Sequence, residues 1–388
     1  MVFDKIRNSF SVLKQISFLG VAHIIPTLIA ASFWFYIASL IGDEAYGELT
    51  YYLTIAGIGS TVTLLGTPTA LNVYAAKGER ILPVISMLTF TTSAIGAITV
   101  YFMFYNAGAG IHIFTYTIFA LITAEFLGRK LFKTYMKIMI IQKILMVSLA
   151  IILYHLIGND GIILGIAFAF IPFIILYYKE FKNYKINFSD LKSKKKFILN
   201  NYLLDFSRMF SGSMDKIIIA PLFGFAILGN YALGMQFYMM FLLIPSIIFQ
   251  YIVPQDASGN PSIVLKKITV LISVVIAILA LIFSPIIVEI MFPKFIEAVS
   301  IVQIIALAVI PGTINYMYIS KFLGNLKNKI ILVSSIIFLI SIILGMAILG
   351  QLYDVQGIAV AFVLASVAES IFLVIVNKFY KIKNESMS

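Results

Sequence analysis

One apolar run follows another along this chain, each about as long as a bilayer is thick, with almost no polar chain between them. A hydrocarbon core about 30 Å thick takes roughly 20 residues of helix to cross. Lipid offers backbone N–H and C=O groups no partner, so such runs fold as helices that satisfy themselves. The pattern predicts six spans in the first half, at about Ser17–Ile41, Tyr46–Tyr74, Leu82–Phe104, Ile111–Leu131, Met136–Ile157 and Gly161–Tyr178. Six more follow near 197–222, 229–253, 267–292, 297–323, 330–350 and 356–377. Composition agrees: 61% of residues are hydrophobic and 12% charged, with mean hydropathy +1.03. No soluble domain of this length has such a balance. The first run is as long as a true span and no small-residue cleavage site follows it, so no cleavable signal peptide is expected.

Charge placement gives the orientation. Of the 28 Lys and Arg residues, Arg208 and Lys216 lie within span 7 and Lys294 in an outer turn; the other 25 fall on one side. The six turns opposite (Gly42–Ala45, Tyr105–Gly110, Gly158–Asp160, Phe223–Leu228, Pro293–Ile296 and Gln351–Val355) are short, and their charges are mostly acidic. Positive residues stay cytoplasmic, which predicts a multi-pass plasma- or inner-membrane protein with both termini inside. The net charge of +11 therefore reflects topology, and nucleic acid is not expected as a partner. The basic connection Lys179–Lys196 lies against anionic lipid, where each base contributes about 1 kcal/mol. With no cysteine there is neither a disulfide framework nor a thiolate metal site, and the three histidines lie far apart.

Internal repeats set the architecture. ASLIGDEAYG (Ala38–Gly47) returns as APLFGFAILG (Ala220–Gly229), FLG at Phe126–Gly128 returns at Phe322–Gly324, and DGIILGIAFAF from Asp160 returns as QGIAVAFVLAS from Gln356. The offsets are 182, 196 and 196 residues, in order and at equivalent spans. Six spans followed by six in the same orientation form a parallel repeat about the membrane normal, with a polar pathway between the lobes. The expected fold is an all-α polytopic membrane protein of twelve transmembrane helices in two six-helix lobes. The lobes are residues 1–180 and 197–388, joined by a basic cytoplasmic connection over 181–196.

SLIGDEAYGELTYYLTIAGIGSTVTLLGTPTALNVYAAKGE (Ser39–Glu79) resembles the start of Wzx-type oligosaccharide flippases, members of the multidrug/oligosaccharidyl-lipid/polysaccharide exporter superfamily. MDKIIIAPLFGFAILGNYALGMQF (Met214–Phe237) resembles their span 7–8 signature, and FPKFIEAVSIVQIIALAVIP (Phe292–Pro311) and Gly324–Asn325 fit as well. The resemblance implies outward translocation of a polyprenyl-(pyro)phosphate-linked oligosaccharide by alternating access, coupled to H+ or Na+, with no cofactor. Membrane lipids, and glycan polymerase or transferase machinery, are the partners it implies. Asn72, near the inner end of span 2, departs from the pattern: many relatives carry a base there. Two rivals stand beside this reading. One is a drug or metabolite exporter of the same superfamily. The other is a membrane-embedded polymerase or glycosyltransferase, disfavoured because no outer turn is long and no sugar-nucleotide motif is found. A lipid II flippase has two more spans than this chain has room for.

Span 7 carries the polar stripe. Asn201, Asp205, Arg208, Gly212 and Asp215 follow at steps of four, three, four and three, and so share one helix face. A charge at the bilayer centre costs about 2.5–3.5 kcal/mol even on lenient scales, so this face belongs to an interior or a cavity. Counting from Gly224 at 1.5 Å per residue puts Asp215 about 13 Å deep and Arg208 near the inner mouth. A guanidinium there suits the phosphate oxygens of a lipid pyrophosphate, although Asp205 and Arg208 are also spaced to pair with each other. Asp215 serves either as an ion site or as a structural partner of Lys216. Glu125, one turn above a basic run, is a cavity candidate or a partner for those bases, and Glu369 reads similarly. His23 relays protons or packs. Pro68 marks a break in span 2, whose Thr50, Thr54, Thr61 and Thr67 serve helix packing or contact sugars.

The topology has a direct test, because a chain without cysteines takes single-cysteine labels cleanly. Cysteines placed at Asp160 and Asp354 should react with an impermeant reagent from outside, and those placed in Lys182–Lys196 should not. External labelling of the central basic segment would overturn the topology.

Overall fold

A computed structural model describes residues 2–182, 188–295 and 297–385. The helices are α1 (Val2–Ile41), α2 (Asp43–Leu64), α3 (Thr67–Ala76), α4 (Leu82–Phe104), α5 (Ala107–Gly128), α6 (Phe132–Ile157) and α7 (Asn159–Phe168). A 3-10 turn leads to α8 (Ile174–Lys182), and then come α9 (Phe188–Phe223), α10 (Phe225–Phe241) and α11 (Leu243–Ala257). The rest is α12 (Ile263–Met291), α13 (Ala298–Leu307), α14 (Val309–Gly324) and α15 (Asn328–Glu385). Eight runs among the described residues are long and apolar enough to cross a membrane. The count is ten if two bent pairs, α2 with α3 (51°) and α10 with α11 (49°), are single spans. α9 is long enough, but Arg208, Asp215 and Lys216 interrupt its apolar stretch. α15 is broken at Tyr353 (φ −137°) and Asp354 (φ 48°), so one continuous run holds two helices.

Two compact units emerge: Met1–Trp34 with Tyr52–Phe210, and Phe35–Tyr51 with Ser211–Ser388. In the first unit α5 is the central helix. Two thirds of its spanning window is buried (67%), against 22% for α6, and α3, α4, α6 and α7 all pack on it. Asn106 caps its start by accepting a hydrogen bond from the Ala109 N–H at 2.8 Å. Leu71, Leu82, Ile85, Leu121 and Ile122 are fully enclosed side chains of that core. The second unit has a core of Tyr231, Ile301, Ile305, Met346 and Ile358, drawn from α10, α13 and α15. Its α12 presents Leu271, Ile282, Ile286 and Ile290 outward, more than half exposed, a band that needs lipid rather than water.

The repeat is built into the turns. α5 ends with the Lys130 N–H on Leu127 O (3.0 Å) and the Leu131 N–H on Phe126 O (2.9 Å). α14 ends with Leu326 on Leu323 (3.0 Å) and Lys327 on Phe322 (2.8 Å), the same double-bonded C-cap 196 residues on. The residue that takes the left-handed position is Lys130 (φ 60°) in one and Leu326 (φ 57°) in the other. Gly158 (φ 76°) and Asp354 (φ 48°) turn the chain at a second pair of positions with the same spacing. Just beyond each turn a glycine admits a neighbouring backbone: a Cβ on Gly161 would overlap the Leu153 carbonyl, and one on Gly357 the Leu349 carbonyl. Gly128 likewise lies on the Asn72 backbone, and Gly324 on that of Asp256. Small residues at such crossings let helices approach where lipid supplies no hydrophobic drive.

These crossings predict opposite outcomes for one substitution. Gly357→Ala should cost about 1–3 kcal/mol, because a methyl there must displace backbone. Gly212, with nothing within 4 Å of its missing Cβ, should accept alanine with a gain of about 0.5–1 kcal/mol. Thermal unfolding in detergent reads both, and equal effects would contradict the packing.

Candidate functional site

The site in the first unit grows from a broken helix. α2 stops because Leu65 (φ 54°) and Gly66 (φ 70°) are both left-handed, and Pro68 in the first turn of α3 presets the new helix. A helix broken at bilayer depth exposes carbonyls that lipid cannot satisfy. Here hydroxyls take them: Thr92 Oγ1 donates to Thr63 O at 2.6 Å and Thr67 Oγ1 to Leu64 O at 2.6 Å. Gly66 rides on α9 so closely that a Cβ would lie 2.7 Å from Tyr202 Cα and 2.8 Å from the Asn201 carbonyl carbon. The break thus lines a cavity of about 440 Å³, walled by Thr61, Leu64, Gly66, Pro68, Tyr116, Asp205 and Met209. Tyr116 is steadied by rings: it stacks on His112 (5.7 Å, 11°) and meets Phe170 edge-on at 5.5 Å. The basic start of α9 is tied to the turn after α3 by Lys194 Nζ on Glu79 at 2.8 Å, over the Tyr74 ring. The chamber therefore combines apolar walls with two hydroxyls and a carboxylate.

Among the described residues, three inward-facing carboxylates organise the second unit. Asp215 is 7% exposed; it accepts from the Tyr231 hydroxyl at 2.9 Å and from its neighbour's N–H at 2.9 Å, while Lys216 Nζ folds back to 3.4 Å. Asp256 accepts from Lys266 Nζ at 2.6 Å and from the Ser320 hydroxyl. Glu369 is held by Asn315 Nδ2 at 3.0 Å and the Ser334 hydroxyl at 3.0 Å; Asn315 in turn accepts from Ser370 at 2.6 Å. Next to Tyr231 in sequence, Asn230 Nδ2 donates to Asp43 at 3.1 Å.

The sequence-derived candidates fall in different places. Asp205 lines the cavity, and Asn201 lies one turn away with Nδ2 bonded to Phe197 O at 2.8 Å. Arg208 is on the same helix, but its side chain is outside the described residues. Asp215 and Lys216 sit together in the second unit. Glu125 is almost fully buried in α5, and Asn72 is half-buried in α3 with its carbonyl under Gly128; neither lines the cavity. His23 is exposed on α1, its carbonyl accepting from Thr27 at 2.7 Å. Glu369 faces inward to neutral amide and hydroxyl groups rather than to a base, and Arg129, in the basic run below Glu125, binds Glu180 at 2.5 Å. Sequence reading misses Tyr116, Tyr231 and the Asp256–Lys266–Ser320 group. The tyrosines look like ordinary members of apolar runs, and a hydroxyl within reach of the Asp215 carboxylate is visible only once α9 and α10 are folded.

No protein-family profile and no curated protein matches the chain. Solved structures do. An inward-facing multidrug-resistance MATE-family transporter of the MOP superfamily aligns over 96% of this chain and 99% of its own, at TM-score 0.76 and 12% identity. The chain has the fold of MOP-superfamily transporters. A mutant form of the Vibrio cholerae MATE transporter VcmN aligns at TM-score 0.61 and 13% identity over 95% and 97% of the two chains. The lipid II flippase MurJ, inward closed, aligns at 0.63 and 14% over 91% and 87%. The chain thus shares the all-helical, multi-pass fold of these membrane proteins.

The Asp215 contacts make a testable pair. Tyr231→Phe should destabilise the protein by about 1–3 kcal/mol, since it removes a buried donor to a carboxylate. In a double-mutant cycle with Asp215→Asn the two losses should fall short of additivity by at least about 0.5 kcal/mol. Additive losses in detergent unfolding would mean the hydrogen bond carries no stability.

Proposed function

We propose that the protein is a flippase. It moves a polyprenyl-(pyro)phosphate-linked oligosaccharide from the cytoplasmic to the outer leaflet for surface polysaccharide or glycoconjugate assembly, by ion-coupled alternating access. The supporting observation is that one helix, α9, carries Asn201, Asp205, Arg208 and Asp215 in register while its Asp205 enters a cavity closed by the α2–α3 break. The transporter fold supports translocation over catalysis, and the Wzx-like residues support the lipid-linked glycan. We count twelve spans: the eight apolar runs with α15 taken as two, the two bent pairs, and α9. Both termini are placed in the cytoplasm, with 1–180 and 197–388 as duplicated halves and 181–196 as their basic link. Arg208 grips the lipid phosphate, and Asn201, Asp205, Glu125, Asn72 and His23 are further cavity candidates. Asp215 beside Lys216 is the candidate for H+ or Na+ coupling. No metal or organic cofactor takes part, and the glycan polymerase or transferase machinery receives the product.

A drug or metabolite exporter is the alternative, favoured by one feature: Asp205 gives the described cavity a carboxylate, which suits cations. Arg208 separates the two. Arg208→Ala should abolish glycan export at unchanged protein abundance and leave lipid-linked intermediate accumulating inside. Arg208→Lys should restore part of it, keeping the charge but losing the two-pronged grip on phosphate. Normal export by Arg208→Ala, or no lipid-linked intermediate on gene deletion, would overturn the flippase reading.

A further inference from the structure

Lys143 is an exception to the charge pattern of the chain. Charge placement groups it with the cytoplasmic bases, but it stands eleven residues, about 16 Å, along α6 from Phe132. It is half-buried, and its ammonium meets the Met146 sulfur at 3.8 Å. Among the described residues, no carboxylate lies within ion-pair distance of it. The titratable group it faces is another base: Lys143 acts electrostatically on His112 of α5. His112 stands sixteen residues, about 24 Å, from Gly128, the end of α5 beside the basic turn. A lysine that reaches toward His112 points away from that basic end. Snorkelling to headgroups and water would send it the other way.

Two bases that face each other inside an apolar bundle oppose folding, because a buried charge is costly unless it is paired. The Nδ1 of His112 is buried and, among the described residues, has no hydrogen-bond partner. The imidazole stacks on Tyr116, and Tyr116 walls the cavity of about 440 Å³. That volume lies within the roughly 300–1,000 Å³ of ordinary ligand sites. An anion supplies what the pair lacks: an acceptor for the ammonium and for an imidazole N–H, joined by charge-assisted hydrogen bonds. Ionisable groups kept inside a membrane bundle at such a cost mark functional sites.

We propose that Lys143 and His112 form an anion site behind Tyr116, at the wall of the cavity, and that it takes the carboxylate of an acidic sugar in the transported glycan. The choice of substrate class rests on the flippase reading above. There Arg208 holds the lipid phosphate and the tail stays in the bilayer, so the glycan is the part that fills the cavity. A uronate carboxylate is the anion that a glycan carries.

The chain has three histidines, so isotope labelling of histidine in the full chain in detergent gives a nuclear magnetic resonance spectrum simple enough to follow His112. The His112 signals are those lost in His112→Gln. Galacturonate should shift them, and galactose at the same concentration should not. Lys143→Met removes the charge, keeps the length, and should weaken the galacturonate response roughly 10- to 100-fold. Lys143→Arg should keep most of the response, and Lys133→Ala, at the exposed start of α6, should respond as wild type. Without sugar, Lys143→Met should be at least as stable to heat as wild type, since it deletes an unpaired buried charge. A lower unfolding temperature would make Lys143 a structural residue and overturn the site. So would an unmoved His112 signal, an equal shift with galactose, or an undiminished response in well-folded Lys143→Met. A response to inorganic phosphate at lower concentration than to galacturonate would assign the pair to the lipid phosphate and overturn the acidic-sugar assignment. The titration reads binding without transport, so its outcome is independent of the export phenotype of Arg208→Ala that tests the flippase reading.

Discussion

A carbonyl stranded at bilayer depth costs several kcal/mol, and the first unit is arranged around meeting that cost at one point. The α2 helix must stop at Leu65–Gly66, and its last carbonyls are taken by the hydroxyls of Thr67 and Thr92. Only because they are taken can the break stand open to a cavity. Only because residue 66 is glycine can the break press against the backbone of α9 at Asn201–Tyr202. Cavity, broken helix and polar stripe are thus one construction: remove the glycine and α9 must retreat, taking Asp205 out of the wall.

The second unit solves a related problem for charge. Its inward carboxylates are each matched by a small set of donors: hydroxyl and ammonium for Asp215 and Asp256, hydroxyl and amide for Glu369. Glu369 is held by neutral donors, whereas Asp256 sits beside an ammonium. Asp215 differs because Lys216 is its sequence neighbour, so the two charges enter the interior together.

How much of this is legible in the sequence depends on how local the cause is. The helix stops are legible because a turn is decided within a few residues: Gly158, Pro68 and the FLG ends all lie where the chain bends or caps. The Asp215–Lys216 pair is visible for the same reason. The cavity is only half visible. Asp205 can be read from its helical spacing, but Tyr116 comes from a helix some ninety residues earlier, and nothing in its apolar run sets it apart. Sequence alone makes Glu369 a partner for bases, because it shows the nearby charges and not the Asn315 and Ser334 that fold against it.

The internal repeat is also built into one helix crossing. Gly47 would clash, given a Cβ, with the Phe225 carbonyl, and Gly229 with the Asp43 carbonyl. Residues 43 and 225, and 47 and 229, are counterparts at the same offset of 182. The crossing of α2 on α10 therefore uses one surface twice, each segment meeting the other's equivalent, as in an isologous contact between identical subunits. A chain that arose by joining two copies of one module would inherit such a contact rather than invent it. The differences between the copies are then the informative part: Asn230 donates to Asp43, whereas its counterpart in the first half is Glu48, an acceptor when ionised. Where the copies agree, the residues serve the crossing; where they part, as at Asp43 against Phe225, one half has been released to carry polar groups of its own.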